Sequence, residues 1–192
     1  MTSGTQSLLQ FQFEFTPSPN DPKGAADFYW ALGTAMVAIG RLENHFLSAV
    51  INIIGLPETA HLARRFPMAF SQRKEIWEKA FVSSSALRPM QSEAVAFIAQ
   101  MADMSEDRRL IAHGQWGDFA PDEPLRIAVT ILSHKEGTKY GIAVERAELS
   151  VDQVVTIADR ANELNALLFR ISKFIFAERE KIGPPPSDTH KL

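Results

Sequence analysis

Three long stretches of this chain carry apolar residues at every third or fourth position, the spacing that gathers side chains on one face of an α-helix. They span about residues 25–54, 87–113 and 151–181. Such stripes avoid water only when helices pack together, so a helical bundle is expected. After the second stretch, residues 125–133 and 139–149 are rich in Val, Ile and Thr and predict a β-hairpin. The predicted fold class is therefore α+β, mainly α, with a small antiparallel sheet.

Local signals indicate where the helices begin and end. Asp21-Pro22 is typical of a helix start, and Gly55 with Pro57 is typical of a helix end. Gly114 is expected to cap the second long helix, and Ser150-Val151-Asp152-Gln153 predicts a capping box that opens the last one. The segment between Gly114 and the hairpin contains Gly and Pro, and it is predicted to be irregular. Shorter helices are predicted at about 58–65 and 71–81.

The chain is expected to form one domain, because 192 residues suit a single core. That helical domain is predicted to span 21–182, with the hairpin as an insertion at about 125–148. Residues 1–20 are predicted to form a strand and a linker, because the phenylalanines of residues 11–15 alternate with polar residues. This strand could pair with the hairpin. Residues 183–192 are polar and rich in proline, and a disordered tail is predicted there.

Composition excludes several kinds of site. The chain has no cysteine, so disulfides, thiolate zinc sites and cysteine nucleophiles are ruled out. The formal net charge of −3 means that any contact with nucleic acid must come from a local cluster. The basic pairs Arg64-Arg65 and Arg73-Lys74 are interpreted as solvated. The spacings of His45, His61 and His134 fit no compact ligand pattern, so no metal or other cofactor is predicted.

No part of the sequence suggests a membrane or secreted protein. The apolar runs are interrupted by charge well before ~18 residues, the length that a membrane span needs. The first ten residues lack both a basic start and a long apolar run. A cytoplasmic protein without membrane contact is therefore expected.

Two charged residues interrupt the apolar stripes of the first two long helices. Glu43 stands in the first stripe where an apolar side chain is due, and Arg108 stands in the corresponding gap of the second. Because an unpaired buried charge costs roughly several kcal/mol, we predict that these residues form an ion pair between the helices. Glu43→Ala is then expected to destabilise the fold by roughly 3 kcal/mol. Taken alone, such a pair more often fixes helix register than it serves chemistry. The two stripes are formed by Met36, Ile39, Phe46 and Val50, and by Phe97, Met101, Met104 and Ile111.

His113 lies at the predicted end of the second long helix, directly before Gly114. His113 follows Arg108 by five residues, or ~500° of helix, so these two side chains lie on different faces of the helix. Arg109 is four residues before His113 and lies on the same face as His113. A histidine exchanges protons near neutral pH, and arginine grips phosphate with a planar fork. The segment is therefore suited to cleaving RNA without a metal ion. The simpler alternative is that His113 is a terminal residue that favours the helix dipole.

The segment Arg108-Arg109-Leu110-Ile111-Ala112-His113-Gly114 resembles the Arg-x4-His signature of HEPN domains, which are helical bundles that commonly form dimers. Residues 33–55, with Arg41-Leu42-Glu43-Asn44 at their middle, resemble the first long helix of HEPN-like proteins. The order of helix, motif, hairpin and helix also matches, so the resemblance covers most of residues 25–180. In active members it implies metal-independent endoribonuclease action at a dimer cleft lined by two copies of the motif. By that likeness Arg108 and His113 are the catalytic pair.

The same likeness gives supporting places to Glu43, Arg109, Gly114 and Trp116. Arg109 departs from the pattern, because active members often carry Asn directly after the motif arginine, and Trp116 stands where some members have a nearby Tyr. Two functions remain open. One is an endoribonuclease in a prokaryotic defence or toxin–antitoxin setting, with an antitoxin protein as a partner. The other is a non-catalytic homodimeric module that binds a nucleotide, RNA or a protein.

Overall fold

A computed structural model describes residues 21–63, 65–120, 125–134 and 142–182, and these form five α-helices and three strands. The fold is α+β and mainly α, as predicted. The expected strand and linker at 1–20 and the expected tail at 183–192 lie outside the described residues. The elements are α1 (Ala25–Ile54), α2 (Phe70–Ser83), α3 (Gln91–Asp103), α4 (Ser105–His113), β1 (Gln115–Ala120), β2 (Arg126–His134), β3 (Ile142–Ser150) and α5 (Val151–Ile182).

The long helices α1 and α5 pack against each other and form the centre of the molecule. His45 Nδ1 lies 2.9 Å from Asn165 Oδ1, and Arg179 Nη1 donates to Asn52 Oδ1 at 2.5 Å. Because these contact positions advance together along both helices, α1 and α5 run in the same direction. Their buried residues include Leu42, Phe46 and Val50 of α1 and Leu164, Leu168, Ile171 and Ile175 of α5.

The core face of α1 differs from the predicted stripe at one position. Met36 is 49% exposed, whereas Ala35 and Ile39 are buried. Since Met36 and Ala35 are neighbours in sequence, they point ~100° apart around the helix, and the small Ala35 takes the core position. The prediction of Met36 as a core residue is therefore wrong.

Helices α2 and α3 cover the second half of α1 through aromatic side chains. Trp77 of α2 is buried, with its ring 5.3 Å from those of both Phe46 and Phe97. Its Nε1 donates to the carbonyl of Ala94 at 3.0 Å, so the polar end of the indole is satisfied inside the core. This packing fixes α2 beside the position of Glu43 on α1.

One long helix was predicted at 87–113, and the structure divides it into α3 and α4 at Met104. Met104 has a ψ of 1°, far from the helical value, and is fully buried. The apolar stripe continues through the break, which is why its periodicity gives no sign of one. Asp103 and Ser105 flank the break, and both residue types compete with helical backbone bonds. The segment before α3 is a short 3₁₀ turn, Arg88–Met90.

The sheet has the strand order β1-β2-β3, and both pairs are antiparallel. The predicted hairpin is confirmed as β2 and β3, with Arg126 opposite Ser150 and His134 opposite Ile142. The third strand, β1, falls in the segment predicted to be irregular. Its pairing with β2 shifts between Trp116 and Phe119, and such a bulge removes the alternation by which strands are recognised.

The other local signals had mixed outcomes. The capping box before α5 is confirmed: Ser150 N–H donates to Gln153 Oε1 at 2.9 Å, and Gln153 N–H donates to Ser150 Oγ at 3.3 Å. The start at Asp21-Pro22 is wrong by a few residues, because the cap is Gly24, whose φ of 91° suits glycine. The helix predicted at 58–65 is only a 3₁₀ turn, Ala60–Leu62.

Among the described helices, none combines the length and apolarity that a membrane crossing demands.

Candidate functional site

The predicted contact between Glu43 and Arg108 is confirmed. Arg108 Nε donates to Glu43 Oε1 at 2.9 Å, and Nη2 of the same guanidinium donates to the same oxygen. The Arg108 side chain is 15% exposed and that of Glu43 is 36% exposed. The pair therefore sits at the edge of the core, between α1 and α4, where water reaches the carboxylate more than the guanidinium.

Two residues of α2 complete this site, which we call the arginine cluster: Glu43, Phe70, Arg73 and Arg108. The Arg108 guanidinium lies over the Phe70 ring, 4.9 Å from its centroid, which is a cation–π contact. Arg73 is partly buried, and burial lowers its pKa most. The negative charge of Glu43 raises the pKa of Arg73, and the positive charge of Arg108 lowers it. The cluster thus brings two cations and one carboxylate together.

Three consecutive charged residues tie α4 to three different elements. Asp107 accepts a hydrogen bond from Arg160 of α5 at 3.0 Å, Arg108 binds Glu43 of α1, and Arg109 binds Glu145 of β3. Successive helical residues point ~100° apart, so three consecutive side chains of a short helix can point in three different directions. Burial raises the pKa of Asp107, and the charge of Arg160 acts in the opposite direction. These contacts hold α4 from several sides and so fix the direction in which it ends.

Arg109 is held by two carboxylates. Its Nη2 donates to Glu106 Oε1 at 2.6 Å and also to Glu145 Oε2, and its Nε donates to Glu106. These hydrogen bonds raise the pKa of Arg109 above its ordinary range. Arg109 therefore anchors α4 to the sheet, and its guanidinium is less available for a ligand than that of a free arginine.

His113 is the last residue of α4 and is exposed. No side-chain hydrogen bond joins His113 to another residue in the described parts of the chain. Its position in the last turn places the imidazole at the negative end of the helix dipole. Arg108 and His113 point in different directions from α4, since they are separated by ~500° of helix. The structure thus brings Arg108 to Glu43 and leaves His113 open to solvent at the end of the same helix.

Gly114 follows His113. A glycine is required there because a Cβ atom would not fit, and not because the backbone has an unusual angle. Its φ of −67° and ψ of 138° suit any residue, so the left-handed cap that glycine often provides is not used here. A Cβ atom at this position would overlap both the Val129 side chain and the Leu110 carbonyl oxygen. The turn from α4 into β1 therefore passes so close to β2 that only glycine fits.

Trp116 supports the packing of β1 instead of joining the arginine cluster. It is partly buried, and its ring centroid lies 6.0 Å from that of Phe28 in an edge-to-face contact. Phe119, on the same strand, makes a similar contact with Phe28 at 5.7 Å. These contacts attach β1 to the start of α1.

Sequence reasoning missed Arg73 and Phe70 as members of the site. The pair Arg73-Lys74 was expected to be solvated, but Arg73 is partly buried beside Glu43 and Arg108. Nothing in the local pattern of α2 distinguishes Arg73 from a surface arginine, because its position depends on how α2 packs on α1. Within the residues that the structure describes, no group of three or more His, Cys, Asp or Glu side chains is arranged to hold a metal ion.

Comparisons of the chain with protein-family models, with curated proteins and with solved structures find no match. The functional interpretation therefore depends on the geometry of the arginine cluster and of the end of α4.

Proposed function

We propose that this protein is a HEPN-like, metal-independent endoribonuclease that acts as a homodimer, with Arg108 and His113 at its active site. The observation that carries the proposal is that Glu43 holds the Arg108 guanidinium at one position on a helix that ends in an exposed histidine. A guanidinium held in place can stabilise charge on a phosphate, and an exposed imidazole can transfer protons.

In the proposed reaction the His113 imidazole takes the proton of a ribose 2′-hydroxyl. The 2′-oxygen then bonds to the adjacent phosphorus while the bond from phosphorus to the 5′-oxygen breaks, and the leaving 5′-oxygen takes up a proton. Arg108 binds the phosphate oxygens as negative charge develops on them. Because Arg108 and His113 of one chain face different directions, Arg108 of one protomer acts together with His113 of its partner across the proposed dimer. The products are a 2′,3′-cyclic phosphate and a 5′-hydroxyl.

Purified protein incubated with total RNA in EDTA is expected to cleave it, and His113→Ala is expected to slow cleavage by about a hundredfold, a typical loss for a general base. His61→Ala is the matched control, because His61 is also exposed but lies in the 3₁₀ turn before α2. Products are quantified on denaturing gels over time. Equal cleavage by the wild type and His113→Ala, or no cleavage by either, would refute the catalytic role of His113.

A second function is favoured by one specific feature, the use of Arg108 Nε and Nη2 by Glu43. A guanidinium that is already paired suits a non-catalytic dimeric module that binds a nucleotide, RNA or a protein partner. In that case the wild type leaves RNA intact, whichever of these ligands it binds. The defence or toxin–antitoxin setting belongs to the first proposal and rests on the HEPN resemblance alone.

A further inference from the structure

Arg73 belongs to the arginine cluster, but it has no role in the proposed reaction. The cluster holds two guanidinium groups and one carboxylate, and hence a net charge of +1. Glu43 Oε1 already accepts two hydrogen bonds from Arg108. The Arg73 Nε is buried and has no hydrogen-bond partner among the described residues.

This arrangement is costly unless another group completes it. A buried donor without a partner loses hydrogen bonds that it would make with water. Arginine stays protonated in proteins, so Arg73 cannot relieve the cost by losing its charge. The carboxylate whose charge acts on Arg73 is that of Glu43, and it is already bound to Arg108. The cluster therefore retains a positive charge that one further anion would balance.

We infer that Arg73 and Arg108 together bind one phosphate group, with Arg73 as a binding residue outside the Arg-x4-His segment. A phosphodiester carries a single negative charge, which matches the surplus of the cluster, and the guanidinium fork fits two phosphate oxygens. The Glu43 pair uses Nε and Nη2 of Arg108, so the Nη1 side of that guanidinium faces away from Glu43. The identity of this phosphate as part of an RNA backbone rests on the proposed function.

The test uses a short fluorescent 2′-O-methyl RNA, which cannot be cleaved through its 2′-oxygen. Its affinity is measured by fluorescence anisotropy at several salt concentrations. We expect Arg73→Met to bind roughly tenfold more weakly, as loss of one charge-assisted contact implies. The slope of log affinity against log salt is negative, and its magnitude should fall by about 0.7, the value for one phosphate contact on a single strand. Arg170→Met, a change at an exposed arginine of α5, is the control and should bind like the wild type.

Inorganic phosphate distinguishes the two sources of the anion. If it competes with the RNA and raises the melting temperature only when Arg73 is present, the site takes free phosphate as well as backbone phosphate. If the RNA alone shows dependence on Arg73, the site is specific to the nucleic acid backbone. Both results support a phosphate site at Arg73.

A folded Arg73→Met variant that binds RNA and phosphate like the wild type would overturn the inference. Arg73→Gln provides a second variant that keeps a polar group, so the test does not depend on one substitution folding. Because the probe cannot be cleaved, the test measures binding alone, and a protein without nuclease activity can still show a phosphate site at Arg73. Conversely, if the protein is an active nuclease and its RNA affinity does not depend on Arg73, only this inference is contradicted.

Discussion

Gly114→Ala is expected to lower the free energy of unfolding by about 3 kcal/mol, at the upper end of the usual cost of overpacking. The added methyl group meets the Val129 side chain and the Leu110 carbonyl oxygen. The valine can rotate, but the carbonyl belongs to the backbone of α4 and cannot move without disturbing the end of that helix. In a protein of this size the melting temperature should fall by roughly 9 °C.

Gly40→Ala is the matched control for this prediction. Gly40 lies within α1, and a Cβ atom there would meet nothing within 4 Å. Alanine at such a helical position should stabilise the protein by about 0.5–1 kcal/mol, because glycine is the poorer helix former. Thermal or urea unfolding of both variants provides the comparison. If Gly114→Ala melts at or above the wild-type temperature, the end of α4 does not lie as close to β2 as described.

Glu43→Ala is expected to lower the free energy of unfolding by about 2 kcal/mol, because it leaves two partly buried arginines without their shared carboxylate. The sequence alone suggested roughly 3 kcal/mol, the value for a fully buried pair. The Glu43 side chain is 36% exposed, and water therefore screens the charge that remains and reduces the cost. Urea unfolding at neutral pH measures the change.

A double variant separates the ion pair from simple loss of packing. Arg108→Met removes the charge that Glu43→Ala strands, so the two changes together should cost about 1 kcal/mol less than the sum of the single changes. Glu163→Ala, at an exposed position of α5, should leave stability nearly unchanged. Fully additive effects of Glu43→Ala and Arg108→Met would show that the pair contributes no coupling energy.

The sequence predicted the parts of this protein that depend on local pattern. The two charges inside apolar stripes predicted the contact of Glu43 with Arg108 across 65 residues, because each charge needs a partner of opposite sign. The box at Ser150 predicted the start of α5, since its hydrogen bonds lie within four residues. The Val-rich and Ile-rich runs predicted β2 and β3 for the same local reason.

The parts that were missed depend on tertiary packing. The bend at Met104 leaves the apolar period intact, so only the buried surroundings of that residue decide where α3 ends. Gly114 caps α4 as predicted, but the local pattern does not show that only glycine fits there, because the clash involves Val129 of β2. Arg73 resembles any surface arginine until α2 is placed against α1 and α4.

The most direct test of the central claim, that the arginine cluster and His113 form a nuclease site, uses a DNA strand containing a single ribonucleotide. The wild-type protein in EDTA should cut this strand only after the ribonucleotide and leave a 2′,3′-cyclic phosphate, because attack requires a 2′-hydroxyl. Mass spectrometry of the products identifies the cut and its end group. A strand that stays intact, or one that is cut elsewhere, would contradict the claim.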